Sequence, residues 1–302
     1  MYFSLKQIAV FDAIVRCGTL SGAAEEVALS QSAASMALKE LEENLGTRLF
    51  HRYGRKLVLN ENGGRLKPKA RSLMLMAEDI AQPETDDLEG HLRIATTATV
   101  GNYFLPTCAA EFLLRNPKVH MEIIIEDVAK VVERLEAMSV DLGLIDTTCN
   151  RDTLKIEMIA DDRAVAFAAP GHPLAGRRRV SVADLRASSW CLRNSPSLTR
   201  LHLAMALGEG RLNDVRFVAS TYEAVKTAVI AGLGLGFASK HVIAREVAAG
   251  DLVEIAANSV VLDRRFTLLT PNHVYQGKLP LAFADHLRKW CATGRAAIDG
   301  IA

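Results

Sequence analysis

Two sets of short polar side chains carry the chemistry in this sequence. The first is Ser30, Gln31, Ser32, Ser35 and Lys39, followed by Arg52, Arg55 and Lys56. Hydroxyl, amide and cationic donors of this kind suit base edges and phosphates. The second set lies in two later segments, Thr97 with Thr99, and Ser195, Ser197, Thr199 with Arg200. Each segment joins hydroxyls to the start of a helix, whose free N–H groups and positive dipole end favour an anion. With no carboxylate nearby in sequence to partner them, these donors are expected to form a pocket for a small anionic ligand. Read singly, each Ser or Thr is equally an ordinary helix N-cap.

No pattern for bond-making chemistry accompanies these sets. The eight histidines show no metal-ligand spacing. The five cysteines, Cys17, Cys108, Cys149, Cys191 and Cys291, are odd in number and far apart, which argues against a disulfide framework or a zinc site. Cys191 falls in an apolar strand pattern and reads as a buried structural thiol. Gly232-Leu233-Gly234-Leu235-Gly236 follows a helix and precedes a strand, the reverse of a dinucleotide fingerprint. The expectation is a protein that recognises rather than reacts: not an enzyme, with no catalytic residues, no metal and no cofactor.

The elements that must hold the first set are short helices. Leu5 to Arg16 places Ile8, Phe11, Ile14 and Val15 at helical spacing and ends near Gly18. Thr19 or Ser21 caps a second helix through Ala23-Ala24, Ala28-Leu29 turns the chain, and Ser30 caps a third that runs to Leu45 and stops at Gly46. Ala34, Leu38, Leu41 and Leu45 share one face; Gln31, Ser32, Ser35, Met36 and Lys39 share another. Two short helices around a tight turn make a helix-turn-helix, although a three-helix packing unit with a polar outer face has the same periodicity. Next, Thr47 to Asn60 has two apolar runs around a basic Tyr53–Lys56 turn, a small hairpin or wing.

Charge supports this reading. The 302-residue chain carries a net charge of only +1, but Arg48, Arg52, Arg55, Lys56, Arg65, Lys67, Lys69 and Arg71 cluster with only Glu61 opposing them. A local basic block in a neutral protein suits a phosphate-facing module. The length predicts two or three folding units, and 49% hydrophobic with 24% charged residues describes a soluble globular chain. The amino terminus lacks a signal-peptide pattern and no run is long enough to span a bilayer, so a cytoplasmic protein with no membrane partner is expected.

Phe11, Ala23-Ala24, Ser30-Gln31-Ser32-Ala33, Ser35, Leu41-Glu42, Leu45-Gly46, Leu49-Phe50, Arg52, Leu59 and Gly63 together resemble the N-terminal signature of LysR-type transcriptional regulators. The family commonly has basic residues where this chain has Met36 and Glu40, so contacts made there by relatives do not transfer. Trp190, Leu192, Arg193, Ser197, Thr199 and Arg200 further resemble an element of the branch that includes sulfite-responsive and carbon-fixation regulators, with Leu198 where glycine is usual.

The resemblance implies a winged helix-turn-helix over 1–60, a linker and dimerisation helix over 61–89, and a two-lobed α/β effector-binding domain of periplasmic-binding-protein type over 90–302. Lobe I is expected over 90–161 and 266–302, and lobe II over 162–265. Strands alternating with helices from His91 onward independently predict an α/β fold with mainly parallel sheets. In the linker, Leu66, Leu73, Met76 and Ile80 form the expected dimer stripe. The implied partners are double-stranded DNA, a small anionic effector, RNA polymerase and further copies of the chain in a homodimer or homotetramer. A two-lobed secreted solute-binding protein and a small-molecule enzyme are the competing classes. The first lacks an export signal here, and the second lacks a nucleophile–base pair or metal cluster.

Overall fold

The computed structural model describes residues 3–54, 56–81, 87–194, 198–208, 214–272 and 274–293. At the amino end α1 (Leu5–Cys17), α2 (Leu20–Glu26) and α3 (Gln31–Leu45) pack around Ile8, Phe11, Ile14, Ala34, Leu38 and Leu41. Each start is capped as the sequence suggests: Thr19 accepts from the Gly22 amide, Ser30 from the Ala33 amide. Gly18 and Gly46 take left-handed backbone at the two exits. Ala28 also has positive φ, at 53°, which makes the turn between α2 and α3 abrupt.

The wing is β1 (Phe50–Tyr53) paired antiparallel with β2 (Lys56–Leu59). Its root is fixed by one buried carboxylate. Glu42 of α3 accepts from the Leu49 amide at 2.8 Å and from Arg48 Nη1 at 2.7 Å. Helix α4 (Glu61–Ala81) follows, its start capped by Asn60, whose Oδ1 accepts from the Gly63 amide at 2.9 Å. A Cβ at Gly63 would fall 2.2 Å from the Leu49 carbonyl oxygen, so this crossing admits only glycine.

Helix α4 shows one departure from the expected stripe. Leu66 packs onto the core of its own head, together with Met74, while Leu73, Met76 and Ile80 remain 36%, 42% and 85% exposed. Leu66, Ala70 and Met74 recur every four residues on the face of α4 turned to the head, a face that the more exposed Leu73, Met76 and Ile80 do not share. Farther along, α4 meets the C-terminal domain: the Tyr275 amide donates to Ser72 Oγ at 3.2 Å and the Tyr275 hydroxyl to Asp79.

The C-terminal domain runs β3 (Glu89–Thr96), a π-helical turn (Val100–Phe104), α5 (Leu105–Arg115), β4 (Lys118–Ile125), α6 (Val128–Glu136), β5 (Leu142–Ile145), β6 (Leu154–Ala168), α7 (Val182–Arg186), β7 (Trp190–Arg193), α8 (Leu198–Ala206), β8 (Val215–Ala219), α9 (Tyr222–Ile230), β9 (Leu235–Ser239), α10 (Lys240–Ala249), β10 (Val253–Glu254), β11 (Leu262–Pro271) and α11 (Lys278–Ala292). β4-β3-β5 form one parallel set and β9-β7-β8 another. Between them β6 and β11 run antiparallel and long, serving both halves. The first lobe buries Leu92, Ile94, Phe104, Phe112, Phe283 and Leu287; the second buries Trp190, Leu192, Leu203, Leu235 and Phe237.

Where β6 and β11 pass between the lobes, three consecutive register pairs are ion pairs. Arg163 faces Asp263 at 2.6 Å, Asp162 faces Arg264 at 2.5 Å, and Asp161 faces Arg265 at 3.1 Å. Strand alternation turns the middle pair inward and the outer two outward. No helix among the described residues is long and apolar enough to cross a membrane.

Candidate functional site

On the head, the first turn of α3 leaves its polar side chains available. Ser30, Gln31, Ser32 and Lys39 are exposed and Ser35 is half-buried. Ser30 caps the helix and shares a 3.0 Å hydrogen bond with Ser32, while Lys39 lies 3.6 Å from Glu43. Arg52 and Lys56 stand exposed on the wing strands; Arg55 lies outside the described residues. Two other positions on α3 are those where the chain departs from the family pattern. Glu40 accepts from Gln7 Nε2 at 2.9 Å and ties α3 to α1, so it serves the head's own packing. Met36 is 61% exposed, an apolar side chain on an otherwise polar face.

The second predicted set is placed differently. Thr97, Thr99 and Thr199 are buried at 7%, 2% and 5% exposure, and Thr99 and Thr199 face a guanidinium rather than open space. Arg264, from β11, donates Nε to Asp162 at 2.5 Å and Nη1 to Asp146 at 2.8 Å. Nη1 also reaches Thr199 Oγ1 at 3.1 Å, and Nη2 reaches Thr99 Oγ1 at 3.4 Å. Thr97 accepts from the Asp146 amide at 3.2 Å, and Ser239 donates to the other oxygen of Asp162. The two predicted segments therefore converge, with Thr99 of one lobe and Thr199 of the other held by a single side chain. The expectation of hydroxyls without a carboxylate partner is corrected. Asp146, just past β5, and Asp162, within β6, bracket the cluster and come from elsewhere in the chain. Burial alone would lower the Arg264 pKa, but the two aspartates hold it above its ordinary value. Thr99 makes no capping hydrogen bond, and the helix behind it opens as a π turn. Arg200 is half-buried in α8, and Ser195 and Ser197 lie outside the described residues.

The open space lies beside this cluster. A groove of about 960 Å³ runs between the lobes and is lined by Tyr103, Arg193, Tyr222, Glu223, Lys226 and His241, among others. The Tyr103 hydroxyl of the first lobe donates to Glu223 of the second at 2.8 Å. Burial, then this bond, raises the Tyr103 pKa. Lys226 is 5% exposed and pairs with Glu223 at 2.8 Å and Glu246 at 2.6 Å. Arg193, at the end of β7, lies over the Tyr222 ring at 5.1 Å, and its Nε is buried with no partner. It stands near the start of α9, whose cap is Thr221. Burial pushes the His241 pKa down, opposed by Asp162, which favours the neutral ring. Cys191 is buried in β7, and burial raises its thiol pKa, which disfavours the thiolate.

Arg264, Asp146, Asp162 and the groove's Tyr103, Lys226 and Glu223 were not among the residues singled out from sequence. One signal was present: in the strand Leu262–Pro271 the alternation puts Arg264 on the same side as Phe266 and Leu268, an inward-facing cation at the crossing.

Residues 5–64 match the model of the bacterial regulatory helix-turn-helix protein, lysR family, and residues 85–292 match the LysR substrate binding domain. The HTH-type transcriptional regulator YeiE of Escherichia coli K12 is 35% identical over 269 residues, 85% of this chain and 87% of that protein. The RuBisCO operon transcriptional regulator of Allochromatium vinosum is 34% identical over 259 residues, covering 84% and 85%. Full-length OxyR from Pseudomonas aeruginosa superposes with a TM-score of 0.75 at 18% identity, covering 95% of both chains.

Proposed function

The chain belongs to the LysR family of bacterial transcriptional regulators, and we propose that it reads promoter DNA through α3 and the wing while a small anion in the interlobe groove sets its state. On the head, Ser30, Gln31, Ser32, Ser35 and Lys39 supply base and phosphate contacts, and Arg52, Arg55 and Lys56 engage the backbone or the adjacent minor groove. The exposed Met36 adds an apolar contact suited to a thymine methyl. The protein works in the cytoplasm as a homodimer or homotetramer, with the exposed Leu73, Met76 and Ile80 of α4 as its seam. RNA polymerase is the further partner of this reading. The head over 1–60, linker over 61–89 and effector domain over 90–302 are its working units.

The effector reading is carried by one observation: a buried guanidinium nitrogen of Arg193 without a partner, in a groove bounded by both lobes. A buried donor left unmatched is costly, and an anion matches it. Thr97, Thr99 and Thr199 then act behind the ligand, coupling the lobes through Arg264. An anion that draws the lobes together changes the spacing of paired heads through α4. Calorimetry of the full chain against carboxylates, phosphates and sulfite tests this. The expected result is anion binding that weakens about tenfold or more in Arg193→Gln. Binding only of neutral or cationic compounds, or indifference to Arg193→Gln, overturns it.

A further inference from the structure

Among the described residues, five buried side-chain polar atoms lack a hydrogen-bond partner, and three of them line the same interlobe groove: Arg193 Nε, His241 Nε2 and Glu246 Oε2. Buried polar atoms are ordinarily matched, so a cluster of orphans in one cavity describes what the cavity receives. Arg193 presents a donor. Glu246 presents an acceptor, its other oxygen being taken by Lys226 at 2.6 Å. His241 presents a ring nitrogen, held by edge-on packing against Phe104 at 5.4 Å and tilted packing on Phe266 at 5.3 Å.

The ends of the groove are separated by two aromatic rings. Arg193 lies over Tyr222, Lys226 lies over Tyr103, and the two ring centroids are 6.2 Å apart. One compact oxyanion at Arg193 leaves the Glu246 end unmatched. The group that matches it is a neutral donor, because Lys226 already lies between Glu223 and Glu246 and a second ammonium would lie against the first. A hydroxyl donates to Glu246 or His241 without adding charge.

Resting on the reading that the groove takes an anion, we infer that the effector is a hydroxylated anion. Its anionic group faces Arg193, and a hydroxyl several bonds away faces Glu246 and His241. Glu246 and His241 are then its specificity-determining residues. A site built to hydrogen-bond a hydroxyl rejects the analogue that lacks it.

The experiment is calorimetry of the full chain with matched pairs: gluconate against hexanoate, glycerol phosphate against propyl phosphate, and glycolate against acetate. The pairs separate carboxylate from phosphate and long from short. In the wild type a hydroxylated member that spans the groove binds about tenfold tighter than its counterpart. In the double variant His241→Phe, Glu246→Gln, which keeps the ring packing and side-chain volume, the preference falls to within about twofold. Equal binding of all pairs by the wild type, a comparison that needs no variant, overturns the inference. So does a preference that survives in the folded double variant. If no member binds in a manner dependent on Arg193, the anion reading itself falls and takes this inference with it.

Discussion

The same residue types at comparable helix starts do opposite things in the two halves of this molecule. On the head, Ser32 and Ser35 lie within the first turns of α3 over an apolar core, with their polar side turned outward. In the cleft, Thr99 and Thr199 sit at the starts of their helices and are almost fully buried, bonded to Arg264. What separates the two cases is a cation brought in from a distant strand. Hydroxyls with no such neighbour remain available to an outside partner, and hydroxyls that meet one become part of the frame. Helix starts rich in Ser and Thr are thus only potential sites; the neighbouring side chains decide whether that potential is spent inside the fold.

The contrast is broken most severely at Arg264. Arg264→Met leaves buried Asp162 and half-buried Asp146 without their shared cation, and the regulatory domain should lose about 3–5 kcal/mol in urea unfolding. A loss below about 1 kcal/mol would show that water or movement satisfies the aspartates, within the scale of an ordinary exposed pair. Thr99→Val removes one acceptor from the same guanidinium and should cost about 1 kcal/mol, readable in the same titration. Ser35→Ala, its counterpart on the head, should leave unfolding within about 0.5 kcal/mol of wild type. It should weaken specific DNA binding more than non-specific binding in gel shifts across a salt series. Arg52→Ala should weaken both and lower the magnitude of the salt slope by about 1. A Ser35 variant that lost stability but kept its DNA discrimination would erase the distinction between the two regions.

The smallest expected effect is one of pH. Burial lowers the His241 pKa in the folded protein below its ordinary 6.5, so the unfolded chain takes up a proton first as pH falls. The stability tied to the neutral ring is complete above pH 6.5 and is lost as pH drops from there toward the folded-state pKa. His241→Phe should flatten that part of the stability profile; an unchanged slope would show that the ring is protonated without penalty.

Much of the head was legible in sequence because its determinants are local. Ser30 caps the helix it precedes, Gly46 ends it, and apolar spacing names the faces. The cleft resisted for the opposite reason. Arg264 meets Thr99 across 165 positions and Asp146 across 118, and no short window contains both partners. Leu66 shows a third kind of limit. Periodicity places it on the same stripe as Leu73, but the face that meets the head runs through Leu66, Ala70 and Met74, and only the packed structure separates the two faces. Glu40 shows the converse, a departure from the family pattern whose reason lies in a single partner, Gln7, 33 residues away.

The charge order along β6 and β11 also bears on how the chain finds its fold. These strands must pair correctly although their partners lie 100 to 104 positions apart and the whole second lobe is threaded between them. A slip of one residue in one direction sets Asp263 opposite Asp162; in the other it sets Arg264 opposite Arg163. Either error also turns Arg264 away from the aspartates it neutralises, since neighbouring strand positions face opposite sides. Each slipped register keeps one opposite-charge pair, Arg264 with Asp161 or Arg265 with Asp162, and gains one repulsion, against three attractions in the native register, so the charge order favours the native pairing. The three ion pairs that join the lobes in the finished protein thus also proofread the slow, long-range pairing step on which assembly of the cleft depends.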